Sequence, residues 1–293
     1  MEITAKTVME LRKKTGAGMM DCKKALKQTE GDIEEAITYL REKGISKAAK
    51  KAERVAAEGV IFSAVSTDHK TGAMLEFNSE TDFAAKNKEF ISLGEKVCQK
   101  VLNEDISNLD QLIEAKLEGK KIQESITELI AKIGENMKIR RFVRAQANGF
   151  VCSYLHMGGK IGVLLVVEDQ YSEANYKKAK DVAMQIAAMD PAYIDRSEVT
   201  EDDLEKEKSI IRVQLVEEGK PENIIDKILI GKMNKFYEEN CLLQQKFVKD
   251  DKITVQQYLK GLKLNSYYRF KLGEGIEKKE EDFAAEVAAQ MKG

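Results

Sequence analysis

AEGVIFSAVSTDHKTGAML at residues 57–75 and ANGFVCSYLHMGGKIGVLL at residues 147–165 are two versions of one pattern, set 90 residues apart. Ala57-Glu58-Gly59-Val60 answers Ala147-Asn148-Gly149-Phe150, Ser63 answers Ser153, Lys70 answers Lys160 and Gly72 answers Gly162. Self-similarity at a fixed offset marks a repeated supersecondary unit. Both copies run glycine, strand, polar turn, strand, helix. The pattern predicts strands over 60–62 and 73–77 and a helix over 84–102, then strands over 150–155 and 161–167 and a helix over 172–188. Turns of a few residues join the strands, and each pair has one helix to cover it. Antiparallel hairpins are therefore expected, not a doubly wound parallel sheet, and the body reads as a duplicated α+β core.

Upstream, residues 4–40 read as three short helices. Val8 and Leu11 share a face of the first, Gly16-Ala17-Gly18 breaks the chain, and Met19, Ala25 and Leu26 are apolar positions of the second. Asp32 can cap the third, with Glu35 at the N3 position of a capping box and Ile33, Ala36, Ile37 and Leu40 as its buried stripe. So small a core suits a docking module better than a catalytic body. The basic, Ala-rich stretch at 45–58 is read as a boundary, its lysines a solvated face. Between the copies, 108–117 and 122–133 read as helices and 140–145 as a strand. Beyond them, Gly219-Lys220-Pro221 separates two charged helices, with Pro221 suited to the first turn of the second. Leu204, Ile211 and Leu215 would face Ile225, Ile228, Leu229, Met233 and Phe236 in a projecting antiparallel hairpin. A strand over 267–272 and a last helix around 282–291, striped by Phe283, Val287 and Met291, complete the chain.

At 293 residues there is room for about two domains, which excludes a single small zinc or disulfide scaffold. Lys plus Arg total 48 against 50 for Asp plus Glu, so no global field draws the chain to nucleic acid or an anionic membrane. No run of about 18 uncharged apolar residues occurs. The start, MEITAKTVMELRKKTG, has no apolar leader, and a cytoplasmic location is expected. Cys22, Cys98, Cys152 and Cys241 form no CxxC, and His69 and His156 are the only imidazoles, which argues for a reducing compartment and against a metal site. Neither a phosphate loop of the GxxxxGKS type nor a strand-associated GxGxxG is present. Gly16-Ala17-Gly18 follows no strand and suits a turn, and His156-Met157-Gly158-Gly159-Lys160 lacks a nearby acid or nucleophile. No catalytic residue, cofactor or metal is expected, and the chain does not read as an enzyme.

Three segments carry a resemblance: LRKKTGAGMMDCKKAL at 11–26, NSETDFAAKNKEF at 78–90 and HMGGKIGVL at 156–164. IGENMKIRR at 133–141 and GKPENIIDKILIGKMNKFYEENCLLQQKFVKD at 219–250 extend it. In order, and over essentially the whole chain, they resemble the bacterial-type elongation factor Ts family, exchange factors for the GTPase elongation factor Tu. The resemblance implies a ubiquitin-associated-like three-helix domain over 1–55 and a duplicated α+β core whose halves span 56–146 and, in first part, 147–198. It further implies an inserted helical coiled-coil hairpin over 199–245, and a return to the core with a C-terminal helical module over 246–293. It also implies a function: binding the GDP form of elongation factor Tu and promoting GDP release by disturbing its magnesium and phosphate site.

By the same resemblance, Asp82 and Phe83 match an intruding pair at the start of the core helix. Met19 and Met20 match a contact of the N-terminal module, with Arg12 a polar companion. His156, Gly158 and Gly159 match a loop touching another domain of the partner, and Ile133 and Gly134 match an adjacent contact. Read from residues alone, Phe83 would equally suit burial in its own core, and both methionines could be partly buried, although adjacent helix positions cannot both face inward. The positions 90 residues beyond Asp82 and Phe83 are Ser172 and Glu173, so the second copy keeps the framework without the pair. Two other classes stay open on residues alone. One is an adaptor dimerising through the hairpin; the other is an RNA-binding accessory factor, for which the required basic stripe with aromatics is not evident. A homodimer is left open; no direct nucleic-acid or membrane contact is expected.

Overall fold

The computed structural model describes residues 3–277; the helix expected around 282–291 lies outside them. Three helices come first: α1 (Ala5–Thr15), α2 (Met19–Gln28) and α3 (Ile33–Ala49). Thr4 caps α1 by accepting from the Thr7 amide, and Asp32 caps α3 by accepting from the Glu35 amide at 2.8 Å. Val8, Leu11, Cys22, Ala25, Leu26 and Ala36 form their small core, with Ile33, Ile37 and Leu40 packed at its edge. α3 runs on to Ala49, so the first part of the expected boundary segment at 45–58 is helix.

The first half of the core contains β1 (Glu58–Val65), β2 (Thr71–Ser79), α4 (Asp82–Ala85), α5 (Lys88–Asn103), α6 (Leu109–Glu114), a small hairpin of β3 (Lys116–Leu117) and β4 (Lys120–Lys121), α7 (Ile122–Ile133) and β5 (Met137–Gln146). The second half contains β6 (Phe150–His156), β7 (Ile161–Val167), α8 (Glu173–Met189), α9 (Glu201–Glu217), α10 (Glu222–Asn240), a hairpin of β8 (Lys246–Phe247) and β9 (Asp250–Thr254), α11 (Val255–Leu259) and β10 (Leu264–Lys271). Two three-stranded antiparallel sheets result, ordered β1-β2-β5 and β10-β7-β6. Antiparallel hairpins are what the short turns demanded.

Alternation along the strands sorts the core into layers. Ala73, Leu75 and Phe77 of β2 face the cluster built on Phe90, Val97 and Val101 of α5. Val163, Leu165 and Val167 of β7 face Val182, Ala183 and Ile186 of α8. Between the sheets lie Ile61, Met74, Val151, Leu164, Val166 and Phe270. The order is helix, sheet, sheet, helix, and the central strands β2 and β7 are buried on both faces, which is why they read as continuous apolar runs.

The repeat offset acts as a local two-fold relation across the sheet interface. A Cβ on Gly72 would lie 2.6 Å from Val151 and 2.7 Å from Leu164; one on Gly162 would lie 2.6 Å from Ile61 and 2.7 Å from Met74. Each glycine thus sits against the counterparts of the residues that face its twin, where the sheets come too close for a side chain.

Three expectations need correction. The helix expected over 84–102 is broken: α4 ends at Ala85, and Asn87 caps a new helix, α5, by accepting from the Glu89 amide at 2.8 Å. The helix expected over 108–117 stops at Glu114, because Gly119, at φ 87°, turns the chain into the β3–β4 hairpin. Pro221 is the N-cap of α10, one position before its first turn. The α9–α10 seam contains Leu204, Ile211, Leu215, Ile225, Ile228, Leu229, Met233 and Phe236, the side chains expected there.

Candidate functional site

β2 delivers the chain to a tight turn. The Ser79 hydroxyl donates to the Thr81 carbonyl at 2.8 Å, and the Thr81 hydroxyl accepts from the Ala84 amide, capping α4. Both donors of Thr81, its amide and its hydroxyl, reach the Glu135 carboxylate at 2.9 and 2.8 Å. Glu80 accepts from the Asn136 amide at 2.5 Å, while the Asn136 side chain donates to the carbonyls of Ala52 and Arg54. Lys51 donates to the Gly134 carbonyl. The loop from α7 to β5 therefore clasps the turn. Gly134, at φ 93°, ends α7 in the left-handed conformation that lets the chain double back.

One turn of helix can bury only one side. Ala84 and Ala85 point inward, and Asp82 and Phe83 are left outside. Phe83 is 81% exposed, the highest value for a large hydrophobic side chain among the described residues. Lys86 sits 5.8 Å from the Phe83 ring centroid and 2.6 Å from the Asp82 carboxylate. That hydrogen bond holds the Asp82 carboxyl below its ordinary value; slight desolvation and the charge of Glu58 oppose it, and Lys160 assists. Asp82 is consequently an anion throughout the neutral range.

Lys160 brings the second loop into the same neighbourhood, through its 2.6 Å ion pair with Glu58. Met157, Gly158 and Gly159 have φ of 50°, 64° and 89°, three successive left-handed residues after His156 ends β6. The Gly159 carbonyl accepts from the Ile61 amide at 2.8 Å, and a Cβ there would meet Val60 at 2.7 Å, so only glycine lets the loop lie on β1. His156 Nδ1 pairs with the Tyr154 hydroxyl at 3.1 Å.

Asp82, Phe83, Ile133, Gly134, His156, Gly158 and Gly159 thus gather around the start of β1 and the end of β2, with Ile133 half-buried against the first core. Arg12, Met19 and Met20 form a second set on α1 and α2. Both methionines are exposed, at 47% and 65%. This unit rests on α7, where Gly44 packs against Ala131 and Arg41 pairs with Glu124 at 2.9 Å. The cleft of about 580 Å³ between them has a self-neutralising lining: Asp21 pairs with Lys43 and Lys47, and Lys120 with Glu128.

The Elongation factor TS family model matches residues 80–274, beginning two residues before Asp82. The Elongation factor Ts of Halothermothrix orenii is 49% identical over 296 residues, covering 99% of both chains. That of Clostridium botulinum strain Eklund 17B is 48% identical over 300 residues, again 99% of each. The chain belongs to the elongation factor Ts family. It is a translation elongation factor by that kinship, and the family-matched residues include the turn, the α7–β5 loop, the loop after β6 and the α9–α10 hairpin. The full-length relatives extend the likeness over the three-helix unit.

The cysteines of this elongation factor Ts chain are held in unreactive surroundings. Burial pushes the thiols of Cys98, Cys152 and Cys241 up to about 12, 11 and 11, leaving them protonated and poor nucleophiles. No cluster of metal-ligating side chains and no helix long and apolar enough to cross a membrane is found among the described residues. Met157, 70% exposed at the loop tip, is a surface residue that sequence reasoning passed over. Gly158 and Gly159 after it are the signal in the sequence, since paired glycines mark a tight turn.

Proposed function

We propose that this chain is a guanine nucleotide exchange factor that binds elongation factor Tu in its GDP form and promotes GDP release, without catalysing a chemical step of its own. The observation that carries the reading is the exposed ring of Phe83 on a turn clasped by Glu135 and Asn136. A clasped turn presents the aromatic on a backbone already ordered by Glu135 and Asn136, and burying a Phe side chain in a partner contributes about 1.5–3 kcal/mol. If that energy is gained only where the partner's magnesium and phosphate contacts are deformed, it weakens nucleotide binding. Reciprocity then lets incoming nucleotide weaken this protein's grip by the same factor.

Asp82 would supply a fixed anion beside the ring. Ile133 and Gly134, and the loop of His156, Gly158 and Gly159, would widen the contact, while Arg12, Met19 and Met20 would dock a second part of the GTPase. The same reading makes residues 1–55 a ubiquitin-associated-like docking domain, the α9–α10 hairpin a coiled coil and the protein cytoplasmic. In an assay with labelled GDP on elongation factor Tu, Phe83→Ala is expected to lower stimulated release about thirtyfold, as loss of an anchor worth about 2 kcal/mol would. Its melting temperature should be unchanged. Wild-type release kinetics in this variant would overturn the assignment.

A second reading, an adaptor that dimerises through the hairpin, is favoured by one observation: Ile210, Val213, Val216 and Ile230 are exposed on α9 and α10. Sedimentation of the intact protein read together with the labelled-GDP assay separates the two, since only the adaptor reading requires a dimer without stimulated release.

A further inference from the structure

Glu76 is a carboxylate with no exposure, set in the central strand β2. Leaving an ionised group there is costly unless it is fully paired. It accepts from Arg141 Nε at 2.6 Å, Arg140 Nη1 at 3.1 Å, the Gly273 amide at 2.9 Å and the Asn78 side-chain amide at 3.2 Å. Adjacent strand residues normally point to opposite faces, so two neighbouring arginines should not reach one carboxylate. A bulge resolves this. Glu76 pairs with Arg141 and Phe77 with Ile139, leaving Arg140 as the extra residue, and both guanidinium groups turn to Glu76.

The second sheet carries the same bulge without the charges. Val166 pairs with Ser266 and Val167 with Leu264, leaving Asn265 as the extra residue. Val166 and Val167 stand 90 residues beyond Glu76 and Phe77. A bulge at this place is therefore compatible with Val, Asn and Ser, and the charged set is found only in the sheet that carries the candidate site.

β2 and β5 are the strands that carry the two sides of the candidate site: Asp82 and Phe83 follow β2, and Ile133 and Gly134 precede β5. A slip between these strands would separate Thr81 from Glu135 and Glu80 from Asn136. Local bonds continue from the cluster to the turn, through Asn78 on Glu76 and the Ser79 hydroxyl on the Thr81 carbonyl.

We infer that Glu76 is a positioning residue: with Arg140 and Arg141 it locks the β2–β5 register and so fixes the Phe83 turn against the loop after α7. This rests on the proposed exchange activity for its consequence, but not for its geometry. Two variants of the full chain test it. One is Glu76→Gln; the other combines Glu76→Val, Arg140→Asn and Arg141→Ser, which installs the set the second sheet already folds around. In both, hydrogen exchange at the Ala84, Ala85 and Lys86 amides should quicken about tenfold while the middle of β7 stays protected. The plateau rate of stimulated GDP release should fall about tenfold, with the half-saturating concentration changed less than about threefold.

Unchanged protection of the turn in a folded variant, or a loosened turn with an undiminished plateau rate, overturns the inference. Should Glu76→Gln fail to fold, the triple variant decides. If the unaltered protein itself fails to accelerate release, the exchange reading falls, and protection of the turn alone then judges the role of Glu76.

Discussion

Two corners of the core, related by the 90-residue offset, are built on one frame and finished differently. At one, the Val151 amide donates to the His69 carbonyl at 2.7 Å, and the His69 ring stacks on Tyr171 at 4.3 Å with its edge near Tyr176 at 5.0 Å. Phe150 closes the group against Tyr171. At the other, the Ile61 amide donates to the Gly159 carbonyl in the same way, but Gly159 stands for His69, Val60 for Phe150, Thr81 for Tyr171 and Lys86 for Tyr176. The first corner is sealed by rings. The second has none of these rings, and the helix beside it is broken after Ala85, which isolates the Asp82–Phe83 turn at the surface. One repeated arrangement thus supplies a ring-packed seal on one side and an open, aromatic-tipped edge on the other.

Substitutions that attack the shared frame should have the largest effect and should fall equally on both copies. A Cβ at Gly59 would meet the Phe77 carbonyl oxygen at 2.2 Å, and one at Gly149 the Val167 carbonyl oxygen at 2.2 Å. Backbone cannot give way as a side-chain tip can, so Gly59→Ala and Gly149→Ala should each cost about 3 kcal/mol or more in denaturant unfolding. A large effect in one copy alone would break the equivalence of the corners.

Next come changes that tell the corners apart. His69→Ala removes a stacked ring and should lower stability by about 1 kcal/mol in thermal melts while leaving stimulated release intact. Phe83→Ala should do the reverse. If His69→Ala slows release as much as Phe83→Ala does, the sealed corner is part of the functional surface and the contrast is lost.

Acid should expose the charge that only the open half carries. Burial drives the Glu76 carboxyl upward, but the Gly273 amide and the two arginines outweigh it, so its value lies below the ordinary 4.5. A carboxyl depressed on folding contributes stability that is present above the unfolded value and lost as pH falls through the folded one. The melting-temperature gap between the wild type and Glu76→Gln should therefore be widest near neutrality and shrink below about pH 4.5. A gap that grows on acidification would show the carboxyl to be raised instead. The smallest effect is expected from Lys86→Ala: its pair with Asp82 is exposed, so the melting temperature should stay within error of the wild type.

Much of this was legible in the chain. The matched glycines announced the duplication, because positions where backbones nearly touch admit no other residue, and the period of the apolar residues in α9 and α10 named the seam side chains one by one. The interruption at Lys86-Asn87 escaped notice, since the stretch keeps helical spacing and only the Asn87 cap reveals the restart. The Glu76 cluster escaped too: a bulge puts Arg140 and Arg141 on one carboxylate, and alternation alone would have sent them apart.

What the amino-acid order determined unaided is the set of parts: two copies of a hairpin and helix, a three-helix unit, a charged helical pair and the residue types at each turn. These follow from short-range periodicity, capping and the absence of Cβ. Whether Phe83 lies inside or outside was a different kind of question. Its exposure depends on Gly159 lying bare against β1 and on Glu135 holding Thr81, contacts between segments far apart in the chain. Local pattern carries no information about such meetings, and only the tertiary packing of the core decided them.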